Sequence, residues 1–133
     1  MKLLKEIETN KKINSPKILK KYLREFEEED REFVIVIGLN TANNPIYREI
    51  VAIGTLNATI IAPREIFKKA ITMSCNAIIM AHNHPSGNNK PSTQDKEVTK
   101  KIKEAGEIID IKLIDHIIVT KEEYYSFREQ DLL

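Results

Sequence analysis

Two short segments, Phe33–Leu39 (FVIVIGL) and Asn76–Ala81 (NAIIMA), are apolar at nearly every position rather than at alternate ones. A strand that reads this way has to be covered on both faces, so the chain must supply layers above and below a sheet. Ser15-Pro16 is a helix start, and Ile18, Leu19, Tyr22, Leu23 and Phe26 follow at helical spacing, which predicts an amphipathic helix over 16–28. Pro63 opens a second helix with Ile66, Phe67, Ala70, Ile71 and Ser74 on one face. Ser92 caps a third, whose inward face is Val98, Ile102 and Ala105, with Gly106 as its C-terminal stop. Asn40–Pro45 is a turn cluster that joins Phe33–Leu39 to a strand over Ile46–Leu56 as an antiparallel hairpin, and Gly54 marks a bend or bulge in it. Leu113–Thr120 reads as a further strand and Tyr124–Phe127 as a short closing element. Strands and helices interleaved without repeats define an α/β domain with a mixed sheet flanked by helices, with residues 1–14 as an N-terminal extension and 15–133 as the domain.

A chain of 133 residues, 41% of them apolar, buries roughly two-thirds of its unfolded surface and folds without a disulfide or a structural metal. Any metal site is therefore expected to be functional. The 21 Lys+Arg and 20 Asp+Glu leave a net charge of +1, which argues against a protein whose main partner is a nucleic-acid backbone. The balance is uneven along the chain: residues 1–24 carry eight basic and two acidic side chains, and 25–32 carry six acidic and one basic. The basic start reads as a solvated helix face, with contact to an anionic partner as its alternative. Cys75 is the single cysteine, so no intrachain disulfide and no thiolate pair for a metal exist. This fits a reducing, cytoplasmic setting, and no apolar run approaches the ~20 residues of a membrane span.

The stretch His82-Asn83-His84-Pro85, with Ser92 and Asp95 just beyond, carries the chemistry. Two histidines one residue apart at the end of a strand point to the same side and can share a cation. Asp95 lies in the first turn of the capped helix, past a loop holding Gly87 and Pro91 that can return it to the strand end. Two imidazoles and a carboxylate leave a fourth position of a tetrahedral zinc ion open, the arrangement of a catalytic site. Each part also has a plainer role, since paired histidines are often merely hydrogen-bonded and Ser92-x-x-Asp95 is a capping box.

The same residues carry a resemblance. His82-x-His84-Pro85 followed by Ser92-x-x-Asp95 resembles the metal motif of JAB/MPN domains, the JAMM metallopeptidases, whose architecture is cytidine-deaminase-like. AHNHPSGNNKPSTQD, with GTLNA at 54–58, PREIFKKA at 63–70 and KEAG followed by IDHIIVT, is similar to the RadC branch, and Asn83 matches that branch where eukaryotic members carry Ser or Thr. The resemblance implies one zinc ion held by His82, His84 and Asp95, and an upstream glutamate that takes a proton from water, matched here by Glu32. It also implies that Ser92 stabilises the oxyanion of a peptide or isopeptide bond under attack. A second reading is a non-catalytic MPN binding module in a DNA-repair or recombination context. The charge balance supports direct DNA binding only weakly, and the sequence shows no counterpart of the helix-hairpin-helix segment of full-length RadC proteins. A zinc nucleobase deaminase fails on ligands, because that chemistry expects His-x-Glu and Cys-x-x-Cys.

His116 reads as a hydrogen-bonded structural histidine, with a role behind the ligands or at the substrate as its alternative. Cys75 reads as a small core residue. Asn88, Asn89 and Lys90 lie in the loop between the ligands, where substrate contact and simple solvent exposure are both open. The partner is an unidentified peptide or protein, and a homodimer through an edge strand or helix is compatible with the pattern.

Overall fold

The computed structural model describes residues 4–6 and 13–133. Its elements are β1 (Leu4–Glu6), α1 (Pro16–Tyr22) with a 3-10 turn over Arg24–Phe26, β2 (Phe33–Leu39), β3 (Pro45–Ile53), α2 (Pro63–Thr72), β4 (Ala77–Asn83), α3 (Thr93–Ile109), β5 (Lys112–Val119) and β6 (Tyr124–Ser126). The six strands form one sheet in the order β1-β3-β2-β4-β5-β6. β4 and β5 are parallel, joined by the α3 crossover, and the remaining neighbours are antiparallel, so the sheet is mixed as expected.

The two apolar segments are the central strands, and every residue of β2 and of β4 is buried. Alternation sends Val34, Val36, Ile78 and Met80 into a core with Ile66, Phe67 and Ala70 of α2 and Val98 and Ile102 of α3. Ile35, Ile37, Ala77, Ile79 and Ala81 pack on the opposite face with Leu19 of α1, Leu23 and Phe26. Cys75 is a free, buried thiol of the first core. Leu4–Glu6 adds an edge strand to β3 and Ile13 packs in the second core, while residues 1–3 and 7–12 of the N-terminal extension lie outside the described residues.

Three local expectations are corrected. The first helix stops at Tyr22 instead of running to 28. Arg48 of β3 donates to the Tyr22 carbonyl at 3.1 Å, pairs with Glu25 and lies over the rings of Tyr22 and Phe26, which turns the acidic segment aside. In α2, Ile71 is exposed, and Ser74 sits past the helix end at φ 53°, so the buried stripe narrows to Ile66, Phe67 and Ala70. Gly106 does not stop α3, which ends at Ile109 with Asp110 in the left-handed conformation.

The role of Gly106 is close approach. A Cβ there would clash with the Ile111 carbonyl oxygen, where the chain folds back into β5. Gly106→Ala is expected to lower stability by about 1–3 kcal/mol, since backbone blocks the methyl group and outweighs the gain in helix propensity. A chemical denaturation midpoint equal to the wild type's would contradict this packing.

Candidate metal centre

The site forms where β4 ends, β2 begins and α3 starts. Alternation places His82 and the two residues that precede it by even steps, Met80 and Ile78, on the α3 side of the sheet. His84 follows on the same side, just past the strand. The Nε2 atoms of His82 and His84 are 2.9 Å apart. Asp95 approaches both, with Oδ1 3.3 Å from His82 Nε2 and Oδ2 3.3 Å from His84 Nε2.

Asp95 is delivered by the capping box. Its amide donates to Ser92 Oγ at 3.0 Å and its Oδ2 accepts from the Ser92 amide at 2.8 Å, so helix energetics and site geometry use the same residue. Burial works against its charge, yet the imidazoles of His82 and His84 beside it hold its carboxyl well below the usual carboxylate range. Burial likewise opposes protonation of His84, but the bonds to Asp95 and to the Asn88 carbonyl prevail and raise its pKa above 6.5.

These residues fit a metal ion. The Asn88 carbonyl can only accept, so His84 donates to it from Nδ1 at 2.7 Å, and in its neutral form presents the lone pair of Nε2 towards His82 and Asp95. One ligand atom from each of His82, His84 and Asp95 lies within 4.8 Å of the others. Ligands about 2.1 Å from a tetrahedral ion stand roughly 3.4 Å from each other, close to the 3.3 Å that separates Asp95 from each histidine.

Glu32 reaches the same place through sheet register. β2 pairs with β4 so that Val34 is opposite His82. Two residues outward along each strand stand Glu32 and His84, and Glu32 Oε1 is 3.9 Å from His84 Nε2. Glu32 Oε2 is buried with no hydrogen-bond partner among the described residues, an orphaned acceptor beside the candidate ligands. By contrast Glu28 lies in an exposed pair with Lys121, and Glu27 pairs with Lys20 at 2.8 Å.

Asn83 fixes Glu32 from behind. Its Oδ1 accepts from the Phe33 amide at 2.7 Å and its Nδ2 donates to the Arg31 carbonyl at 2.8 Å, bracketing Glu32 in the chain. The Gly54 amide donates to the Glu32 carbonyl at 2.8 Å, and Gly54 forms the expected bend just past β3 at a φ of 120° that glycine allows, while the register shifts of β3 fall at Ile46 and Val51. Sequence reasoning singled out Asn83 only as a family difference; a buried amide between two histidines was the available signal. Asn83→Ala is expected to cost about 1–3 kcal/mol of stability, because a buried donor and acceptor at the strand entry lose their partner. Paired denaturation and metal titrations check this, and an unchanged midpoint would count against the clamp.

Behind His82, its Nδ1 lies 2.8 Å from His116 Nε2, and His116 Nδ1 lies 2.5 Å from Thr99 Oγ1. His116 is fully buried, and burial, with His82 close by, pushes its pKa well below 6.5. Thr99 was not singled out by sequence reasoning, because its spacing marks it only as one more position of a helix. Of the loop residues, Asn88 supplies the carbonyl for His84, Asn89 Nδ2 donates to the Tyr124 carbonyl at 2.9 Å, and Lys90 is exposed. Ser92 is exposed at the N-cap of α3.

Fold and site together define a mixed α/β domain with a His-His-Asp group able to hold a metal ion. A RadC-like JAB domain model matches residues 13–132, and the chain belongs to that family. It is 50% identical over 106 residues to a UPF0758 protein of Chlorobium chlorochromatii, covering 80% of this chain and 48% of the relative. A UPF0758 protein of Chlorobium phaeovibrioides is 47% identical over 126 residues, covering 94% of this chain and 56% of the relative. One from Geobacillus kaustophilus is 48% identical over 100 residues, covering 75% and 44% respectively. The chain thus spans about half the length of the curated relatives it matches, and their shared name assigns no activity. Among the described residues no helix is long and apolar enough to cross a membrane.

Proposed function

We propose that this domain is a zinc-dependent hydrolase that cleaves peptide or isopeptide bonds. The observation that supports it most is the Glu32 carboxylate, with one buried oxygen unpartnered among the described residues, set 3.9 Å from His84 Nε2 beside three side chains able to hold an ion. His82 and His84 would hold zinc through Nε2 and Asp95 through a carboxylate oxygen, a set that leaves one position open. When bound, zinc supplies Lewis acidity towards a carbonyl oxygen and lowers the pKa of water towards ~7. Glu32 takes the proton of the attacking water on its carboxylate and returns it to the departing amine nitrogen.

Ser92 takes the oxyanion role through its proton alone. Its Oγ already accepts from the Asp95 amide, so the cap and the donation coexist when the hydroxyl proton turns away from the helix. The test is metal content of protein purified without chelators, followed by incubation with peptide and isopeptide libraries read by mass spectrometry. About one zinc per chain and cleavage of an amide bond are expected. Protein that takes up no zinc overturns the reading. Zinc without cleavage, together with salt-dependent DNA affinity that survives His84→Ala, favours the binding-module alternative.

A further inference from the structure

A chain of buried hydrogen bonds joins two of the candidate ligands through residues that contact no metal, and its proton directions are determined by its ends. Thr99 Oγ1 lies 2.7 Å from the backbone carbonyl of Asp95. A carbonyl only accepts, so the single hydroxyl proton of Thr99 goes there. Thr99 Oγ1 then has only lone pairs to offer His116 Nδ1 at 2.5 Å, and His116 must donate from Nδ1. A neutral His116 with its proton on Nδ1 presents a lone pair at Nε2, 2.8 Å from His82 Nδ1. His82 must therefore donate from Nδ1 and keep the lone pair of Nε2 for the side where His84 and Asp95 converge.

We propose that His116 is a positioning residue for the metal site: with Thr99 it selects the tautomer of His82 whose Nε2 is free to bind an ion. This rests on the metal reading above and deepens it. The ring is held for the purpose. It stacks on Phe127 with centroids 4.7 Å apart and planes 7° from parallel. Phe127 is seated in turn by Asp115 on the other face of β5, which accepts from Ser126 Oγ at 2.6 Å and from the Arg128 amide at 3.0 Å. A histidine whose tautomer is left free spends part of its population with a proton on the ligand nitrogen, and each such molecule must rearrange before it binds.

The experiment uses the 133-residue chain and zinc itself. Nitrogen-15 NMR of the zinc-free wild type is expected to show His82 protonated on Nδ1, and a proton on Nε2 instead overturns the proposal. His116→Leu removes the acceptor and is expected to bind zinc about 10–100-fold more weakly in competition with a chromophoric chelator. His116→Gln keeps an acceptor for His82 and a donor for Thr99, so it is expected to stay near the wild-type affinity with the Nδ1-protonated form of His82. Thr99→Val leaves the core volume intact but releases the direction of the relay, and His82 is expected to show both tautomers. A purely structural His116 would lower the melting temperature of the Leu and Gln variants alike and leave the zinc affinity of folded protein unchanged, which overturns the proposal. If His116→Leu does not fold, the wild-type and Thr99→Val spectra still decide it. Wild-type protein that binds no zinc sinks the hydrolase reading, while the His82 tautomer is measured without metal and judges the relay separately.

Discussion

His84→Ala is expected to weaken zinc binding by on the order of 100-fold, about 3 kcal/mol, if the ~10–16 kcal/mol of a four-ligand zinc site is shared roughly equally among its ligands. The choice of His84 over His82 follows from where they sit. His82 is fully buried within β4, so its removal opens a cavity and breaks the contact to His116. His84 stands just past the strand, partly exposed, and its loss releases the bond to the Asn88 carbonyl and the contacts at the site itself without opening the core. Chelator competition on wild type and variant, with circular dichroism to confirm that both are folded, measures the effect. Equal affinities would remove His84 from the ligand set.

Glu32→Gln is expected to keep zinc and lose hydrolysis by a factor of about 10²–10⁴, the usual contribution of a positioned general base. Glutamine preserves the shape and the backbone bonds that hold position 32, from the Asn83 clamp on either side and from the Gly54 amide. It removes the group that accepts a proton. The comparison requires an amide substrate found with the wild type, and rates are read at zinc saturation so that occupancy does not enter. A variant as fast as the wild type would place the base elsewhere. A variant that also loses zinc would make Glu32 a ligand rather than a base.

Much of the site was legible as local pattern. His82 and His84 share a face because side chains alternate along a strand, and Asp95 stands in the first turn because Ser92 caps the helix there. These are rules of a few residues' reach. Glu32 was matched through family likeness and through its place at the mouth of a buried strand, which separates it from Glu27, Glu28 and Glu29 but does not by itself bring it to the histidines. What brings it there is the antiparallel pairing of β2 with β4, strands separated by the 37 residues between Leu39 and Ala77, whose register sets Val34 against His82.

Misreadings came from the same source. Gly106 looked like a helix stop because glycine commonly ends helices, whereas here it makes room for the Ile111 carbonyl of the returning chain. The first helix looked longer because Leu23 and Phe26 keep its period, and Arg48 from β3 ends it. His116 was not among them: read as a hydrogen-bonded histidine, with a role behind the ligands as its alternative, it is buried and hydrogen-bonded between His82 and Thr99.

By itself, the order of residues determined a mixed α/β domain covered on both faces, a pair of histidines on one side of a strand, and a carboxylate presented by a capped helix. Each depends on backbone geometry that neighbouring residues impose on one another. Only the tertiary structure decided which acid faces the histidines, which amide clamps it, and which buried ring stands behind His82. Those facts are set by strand register and by the crossover of α3, where contacts between distant residues are selected by the packing of the whole core.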